Sequence, residues 1–392
     1  MPESSDVPNL KQEVPDSVEK KVRSFIEKTL AHPHLKNAFE EVKKALDPGN
    51  PYSLISVVGP SGVGKTTLCR RIVRHFEEAP PSADTGRIPV SMIEAIASSS
   101  GAYDWKEHFC QVLESLGEPL VDKKMDCERL FGIFEPQYRT KSYGRLSRRP
   151  SIMDLRKAVE SSLTYRKPAV FVIDEAQHLK KMASGKRLID QMDTIKSIAN
   201  RTGVKHLLSG TYELLGLSDL SAQLSRRTME IHLPRYRFDL AEERNAFFEV
   251  LVNLEESLPV PEQSPLESNL EYIYERTAGC VGILKDWMVR ALTLALFSGS
   301  LSVTIDHLVE TSLSDRQIER IIREIQEGER IFRVDRTDRI RANLGILPIE
   351  TVPDVPVDDT KEKKKTRRLP GKRKPVRDPV GNSLNEPSEN VG

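Results

Sequence analysis

Eight consecutive residues, Gly59-Pro60-Ser61-Gly62-Val63-Gly64-Lys65-Thr66, carry the spacing G-x-x-x-x-G-K-[ST], whose chemistry is phosphate binding. Glycines at these positions let backbone N–H groups converge on phosphate oxygens at a helix N-terminus. Lys65 is spaced to reach the β and γ phosphates, and the Thr66 hydroxyl to ligate Mg²⁺; Thr67 completes the expected nucleotide-binding set. The expected ligands are therefore ATP and Mg²⁺. A second constellation, Asp174-Glu175, ends the apolar run of residues 169–173. Asp174 suits a Mg²⁺ ligand, and Glu175 suits a base that orients and deprotonates an attacking water.

Two further groups fit the same chemistry, each with a plainer alternative. Residues 204–211 read as a strand ending in small hydroxyls, where Ser209 and Thr211 either sense a γ-phosphate or cap the next turn. Arg226-Arg227, just before a short strand at 229–233, are either an arginine finger reaching a neighbouring subunit's nucleotide or a surface pair.

These groups need a parallel sheet to hold them. Residues 54–58 are short, apolar and β-branched, as a buried parallel strand should be. After the phosphate loop, Leu68, Ile72, Val73 and Phe76 share one helical face. Residues 88–92 read as a second strand, residues 105–116 as a helix, and Ser151 to Asp154 as a capping box opening another helix. Residues 16–46 predict two helices divided by Pro33. Beyond Pro234 the spacing becomes helical over 239–258, 266–277, 281–297 and 304–313, with a charged helix over 315–327. The expected organisation is a flexible arm at 1–15, N-terminal helices at 16–50, an ATPase core at 51–236, a helical lid with its following helix at 237–345, and a disordered basic tail at 346–392.

Composition narrows the class. Of 392 residues 38% are hydrophobic and 30% charged, as in a soluble globular protein, and the net charge is +1, so any nucleic-acid surface must come from local clustering. Two clusters qualify. Residues 134–149 carry Arg139, Lys141, Arg145, Arg148 and Arg149 against Glu135, interleaved with Tyr138 and Tyr143. This suits a DNA phosphate contact, or a solvated insertion. Residues 361–377 hold ten bases and one acid, Glu362, suiting nucleic acid, an acidic partner or a solubilising role. The four cysteines, Cys69, Cys110, Cys127 and Cys280, lack metal or disulfide spacing. No apolar run approaches a bilayer span and no signal peptide opens the chain, so no membrane partner and a cytoplasmic location are expected.

The phrases VVGPSGVGKTTL, VFVIDEAQHL, LLSGTYEL and SRRTMEIHLPRY, over about residues 20 to 320, resemble the TniB/TnsC-type AAA+ transposition regulator ATPases. The resemblance implies an α/β fold: an AAA+ P-loop αβα sandwich with a parallel sheet, then a small helical lid. It implies a bacterial ATPase that assembles as a ring or helical filament on target double-stranded DNA. Such a protein links a target-selecting factor, TniQ-like and in some systems bound to an RNA-guided complex, to a transposase. By matching position, Lys65 and Thr66 bind ATP and Mg²⁺, Asp174 holds Mg²⁺, Glu175 activates water, and Arg226 or Arg227 acts in trans. One departure is Gly282-Ile283-Leu284-Lys285, which offers lysine where AAA+ lids usually supply arginine. The competing expectations are an AAA+ replication initiator or helicase loader, disfavoured because low-complexity sequence after Thr351 leaves no room for a winged helix, and a nucleotide-switched signalling ATPase without DNA binding, disfavoured by the lack of a repeat sensor.

Overall fold

The computed structural model describes residues 16–80, 84–96, 103–121, 150–179, 186–215 and 226–333, with isolated positions at 337, 340–341 and 344–346. Two compact units divide the chain, Met1–Arg333 and Val334–Gly392, and every element below belongs to the first.

Five parallel strands form one sheet: β1 Leu54–Val58, β2 Val90–Glu94, β3 Val170–Asp174, β4 Lys205–Gly210 and β5 Thr228–His232, in the spatial order β2-β3-β4-β1-β5. β1 and β3 are buried along their whole length, as central strands covered on both faces require. On one face, α2 (Pro33–Leu46) and α3 (Lys65–Glu77) pack Leu35, Val42, Leu68 and Ile72 against Ile55, Val57, Val172 and Leu207. On the other, α4 (Trp105–Ser115), α5 (Ile152–Arg166) and α6 (Lys186–Thr202) bring Phe109, Leu113, Leu155, Val159 and Ile195 onto Phe171, Ile173 and Leu208. Local chemistry sets the ends. Pro33 opens α2, Asp104 caps α4 through the Lys106 and Glu107 N–H groups, and Ser151 with Asp154 forms the reciprocal capping box of α5.

Element bounds differ from the sequence-based expectation in several places. β2 starts at Val90 because Pro89 has no N–H to give the ladder. β5 runs one residue earlier, from Thr228. The segment from Leu266 divides into a 3-10 turn, Leu266–Asn269, and α8 (Leu270–Thr277).

A second apolar cluster joins α7 (Ala241–Glu256), α8, α9 (Val281–Phe297) and α10 (Ile305–Glu310) around Phe247, Leu251, Leu284, Trp287, Met288 and Leu308. The Trp287 indole N–H donates to the Leu308 carbonyl at 2.8 Å. The N-terminal pair of helices separates between the two bodies. α1 (Asp16–Glu27) buries Phe25 in this helical cluster, whereas α2 packs on the sheet. The chain between them, residues 28–32, therefore crosses the cleft. At this crossing His32 Nδ1 lies 3.0 Å from the Tyr236 hydroxyl and the His34 ring stacks on Tyr236.

The last helix, α11 (Asp315–Arg333), is longer than the charge pattern suggests and is amphipathic. Its Ile318 and Ile325 are buried, the latter packing with Ala278 and Cys280. Further along, Phe332 stacks on His232 and Glu329 accepts from Arg235 Nε at 2.9 Å. No helix among the described residues is long and apolar enough to cross a membrane.

Candidate active site

The phosphate loop lies where β1 ends and α3 begins. Gly62 and Gly64 have φ of +73° and +109°, left-handed values that side-chain-bearing residues rarely adopt, and Gly64 caps α3. Lys65 is buried, and its ammonium donates to the Gly59 carbonyl at 3.1 Å and the Pro60 carbonyl at 2.8 Å. Burial lowers its pKa, opposed by the Glu175 and Asp174 carboxylates. The ammonium is thus held in place by the loop whose phosphates it would neutralise.

Thr66 and Asp174, 108 positions apart, meet. The Thr66 hydroxyl donates to Asp174 Oδ2 at 2.7 Å, and Asp174 Oδ1 accepts the Glu175 N–H at 3.0 Å. A hydroxyl and a carboxylate in contact beside a phosphate loop are hard oxygen donors of the kind Mg²⁺ takes, so this donor set fits the ion. Bound there, Mg²⁺ would supply charge neutralisation on the phosphates. Glu175 follows on the strand tip with φ of +52°, and its carboxylate accepts a hydrogen bond from the Gln177 amide.

The two hydroxyls at the end of β4 differ in their place relative to the strand end, Ser209 lying within β4 and Thr211 just past it. Ser209 is fully buried beneath α3 beside the Cys69 thiol, on the same side of the sheet as Leu207. A side chain enclosed in that layer has no path to a γ-phosphate without opening the core, which counts against Ser209 as the sensor. Thr211, just past the strand, is half-buried at the C-terminal edge of the sheet, and its N–H donates to Gln177 Oε1 at 3.2 Å.

Arg226 and Arg227 stand at the other edge. Leu54 pairs with Thr228 and Val58 with His232, so the pair precedes β5 level with the start of β1, while the phosphate loop follows its end. The length of a five-residue strand, roughly 16 Å at about 3.3 Å per residue, separates them. Neither arginine reaches its own phosphate loop. The Arg227 guanidinium donates to Asn200 Oδ1 at 2.7 Å, and its carbonyl accepts the Ser53 and Leu54 N–H groups. Arg226 is exposed.

A cavity of about 770 Å³ opens beside the loop, walled by Ala31, Val63, Thr67, Arg70, Val281 and Gly282 among others. Residues of the α1–α2 crossing, the phosphate loop and the lid helix α9 therefore share one chamber, large enough for a nucleoside triphosphate. The lid touches the loop directly: the Ile283 N–H donates to the Gly62 carbonyl at 3.1 Å. Lys285 also lines the cavity, but its ammonium donates to the Ile26 and Lys28 carbonyls at 2.6 and 2.5 Å. It caps the C-terminus of α1, where a cation is favoured.

Arg139, Lys141, Arg145, Arg148 and Arg149, and the basic segment 361–377, lie outside the described residues. Gln177 is the residue that sequence reasoning missed; its signal is an amide two positions after the second carboxylate, in a turn tight enough to fold back on it.

Among solved structures, the chain is similar to the ORC2 protein of Aeropyrum pernix in its ADP form, with 16% identity, a TM-score of 0.49 and coverage of 74% of this chain and 72% of that one. It is likewise similar to Cdc6p from Pyrobaculum aerophilum, at 16% identity and a TM-score of 0.49 over 76% and 70% of the two chains. A structure of Drosophila ORC bound to DNA aligns at 13% identity and a TM-score of 0.40 over 88% and 87%. No curated protein matches the sequence. Residues 50–217, which hold the phosphate loop, the acid-ended strand and β4, match the family model for the AAA domain. The fold is the AAA+ P-loop fold with a five-stranded parallel sheet, and the match supports a nucleotide-hydrolysing P-loop ATPase in general.

Proposed function

We propose that this chain is an ATP-dependent regulator of DNA transposition. It binds ATP with Mg²⁺, assembles as a ring or helical filament on target double-stranded DNA, and links a TniQ-like target-selecting protein to a transposase in the bacterial cytoplasm. One observation carries the ATPase part: the Thr66 hydroxyl and the Asp174 carboxylate are in hydrogen-bond contact at the phosphate loop, with Glu175 beside them. In this account Lys65 neutralises the phosphates and Glu175 takes the proton of the attacking water. Thr211 serves as the γ-phosphate sensor.

The distance between the arginine pair and its own loop supports self-assembly. An arginine that stabilises charge at the γ-phosphate must then come from a neighbour; both arginines are exposed, and Arg226 is the better placed because Arg227 is engaged with Asn200. Transposition as the setting rests on the phrases VFVIDEAQHL, LLSGTYEL and SRRTMEIHLPRY. Arg139, Lys141, Arg145, Arg148 and Arg149 supply DNA phosphate contacts. The proposed division keeps an arm at 1–15, a core at 51–236, a lid with its following helix at 237–345 and a tail at 346–392. Within 16–50, α1 travels with the lid, because Phe25 is buried there.

Negative-stain imaging with a non-hydrolysable ATP analogue, with and without random double-stranded DNA, tests the reading. Rings or filaments that need both ligands are expected. Oligomers indifferent to DNA would contradict the transposition setting in favour of a signalling switch.

A further inference from the structure

We propose that Gln177 is the positioning residue for the Glu175 carboxylate, fixing it against the backbone at the end of β4. The proposal rests on the reading of Glu175 as the base in ATP hydrolysis, and it ties that base to the strand end bearing the γ-phosphate sensor.

Gln177 lies in the 3-10 turn Ala176–Leu179 and is only 4% exposed. A glutamine amide offers acceptors at one end and donors at the other, and its orientation follows from its partners. Here the Thr211 N–H settles it. A backbone N–H can only donate, so Gln177 Oε1 faces β4 at 3.2 Å. Gln177 Nε2 is then directed at Glu175 and donates to its Oε2. The backbone makes room for this amide at Gly210, where a Cβ would fall 2.4 Å from Gln177 Oε1.

Glu175 needs such a partner. Its φ of +52° is a conformation that costs a residue with a side chain roughly 1–2 kcal/mol, and such residues persist where their surroundings over-determine them. The backbone is held on both sides, by the Glu175 N–H on Asp174 Oδ1 and the His178 N–H on the Glu175 carbonyl, each at 3.0 Å. The carboxylate end is held by Gln177. A glutamine that served packing alone would not need both ends of its amide matched, since a methionine fills nearly the same volume. Rate depends steeply on such placement, because a misplacement of about 1 Å in a reacting group costs on the order of 100-fold.

The test measures steady-state ATP hydrolysis by the full chain with double-stranded DNA, and separately the affinity for a fluorescent non-hydrolysable ATP analogue. Gln177→Met removes both polar ends, and Gln177→Glu keeps the acceptor for Thr211 but turns an acceptor toward Glu175. Both should lower kcat at least tenfold while KM and analogue affinity change less than twofold. In the Glu175→Gln background, Gln177→Met should cost nothing further, because a residue acting only through Glu175 has no effect once that base is gone. Gln177→Glu, isosteric with the native residue, decides the matter if Gln177→Met fails to fold. A kcat within twofold of wild type, a loss that persists in the Glu175→Gln background, or a parallel fall in analogue affinity would each overturn the proposal. Wild-type protein without hydrolysis sensitive to Lys65→Ala would overturn the ATPase reading as well, whereas normal hydrolysis that Gln177→Glu leaves unchanged overturns the proposal alone.

Discussion

Gly282→Ala is the sharpest test of how the lid meets the phosphate loop. A Cβ on Gly282 would fall 2.4 Å from the Gly62 carbonyl oxygen and 3.0 Å from its carbon. An ordinary carbon–oxygen contact is roughly 3.3 Å, so α9 must retreat by about 0.9 Å. Both partners are backbone, one in a helix and one in a loop held at φ of +73°, so no side chain can rotate to absorb the shift. The retreat breaks the Ile283 N–H to Gly62 carbonyl bond, a loss of about 1 kcal/mol. Overpacking strain adds about 1–3 kcal/mol, while the better helix propensity of alanine returns about 1 kcal/mol. The net is about 1–3 kcal/mol against seating the lid. Nucleotide bound in the cavity would touch both walls, so the complex would carry that cost while the free protein could relax by opening. Affinity for an ATP analogue should fall about 5- to 150-fold. Fluorescence titration measures it, with Gly49→Ala as control, since a Cβ there meets nothing within 4 Å. An analogue affinity within twofold of wild type in Gly282→Ala would refute the reasoning.

Other predictions follow from the same geometry. Lys65→Ala should abolish analogue binding in the same titration, and Glu175→Gln should bind normally but retain ATP uncleaved, read as the ATP-to-ADP ratio of protein-bound nucleotide. His32 and His206 are buried with pKa lowered to about 4, and His108 to about 3, burial being the main cause in each. Their folded values lie below the ordinary 6.5, so their contribution to stability is complete above pH 6.5. It is lost as pH falls toward about 4, at about 1.4 kcal/mol per pH unit per histidine. Urea midpoints should therefore drop between pH 7 and pH 5, and constant midpoints would contradict the burial. Neutralising Arg139, Lys141, Arg145, Arg148 and Arg149 together should weaken DNA binding and flatten its dependence on salt, because fewer counterions are released; an unchanged slope would remove that segment from the interface.

The chemistry of the site was legible because it is local. The glycine spacing around Lys65, the apolar run ending in Asp174-Glu175 and the hydroxyls after β4 each sit within about ten residues of a strand, so spacing alone places them on one sheet edge. What sequence did not reveal depends on which faces meet. Periodicity shows that α1 has an apolar stripe, but Phe25 packs with α7 and α9, more than 200 positions away, and no local signal distinguishes that surface from the sheet. The same holds for α11, which reads as a charged helix in the sequence and buries Ile318 and Ile325 in the structure. Ser209 and Thr211 read as equivalent hydroxyls; the end of β4 sets them apart, since Ser209 is buried within the strand under α3 and Thr211 lies past the strand end. The partners of Lys285 and Gln177 are likewise set by the fold: Lys285 reaches the Ile26 and Lys28 carbonyls, and Gln177 bridges the Thr211 N–H and the Glu175 carboxylate.

The central claim is an ATP site completed by a neighbouring subunit, and mixing two inactive variants tests it most directly. Lys65→Ala leaves a subunit with its arginine but no nucleotide, and Arg226→Ala leaves one with nucleotide but no arginine to offer its neighbour. Each alone should hydrolyse ATP at background rate in the presence of double-stranded DNA. Mixed in equal amounts, they should regain activity that rises with protein concentration, because an Arg226→Ala subunit beside a Lys65→Ala subunit has one complete site. Full activity of Arg226→Ala alone, or a mixture no faster than its parts, would contradict the account.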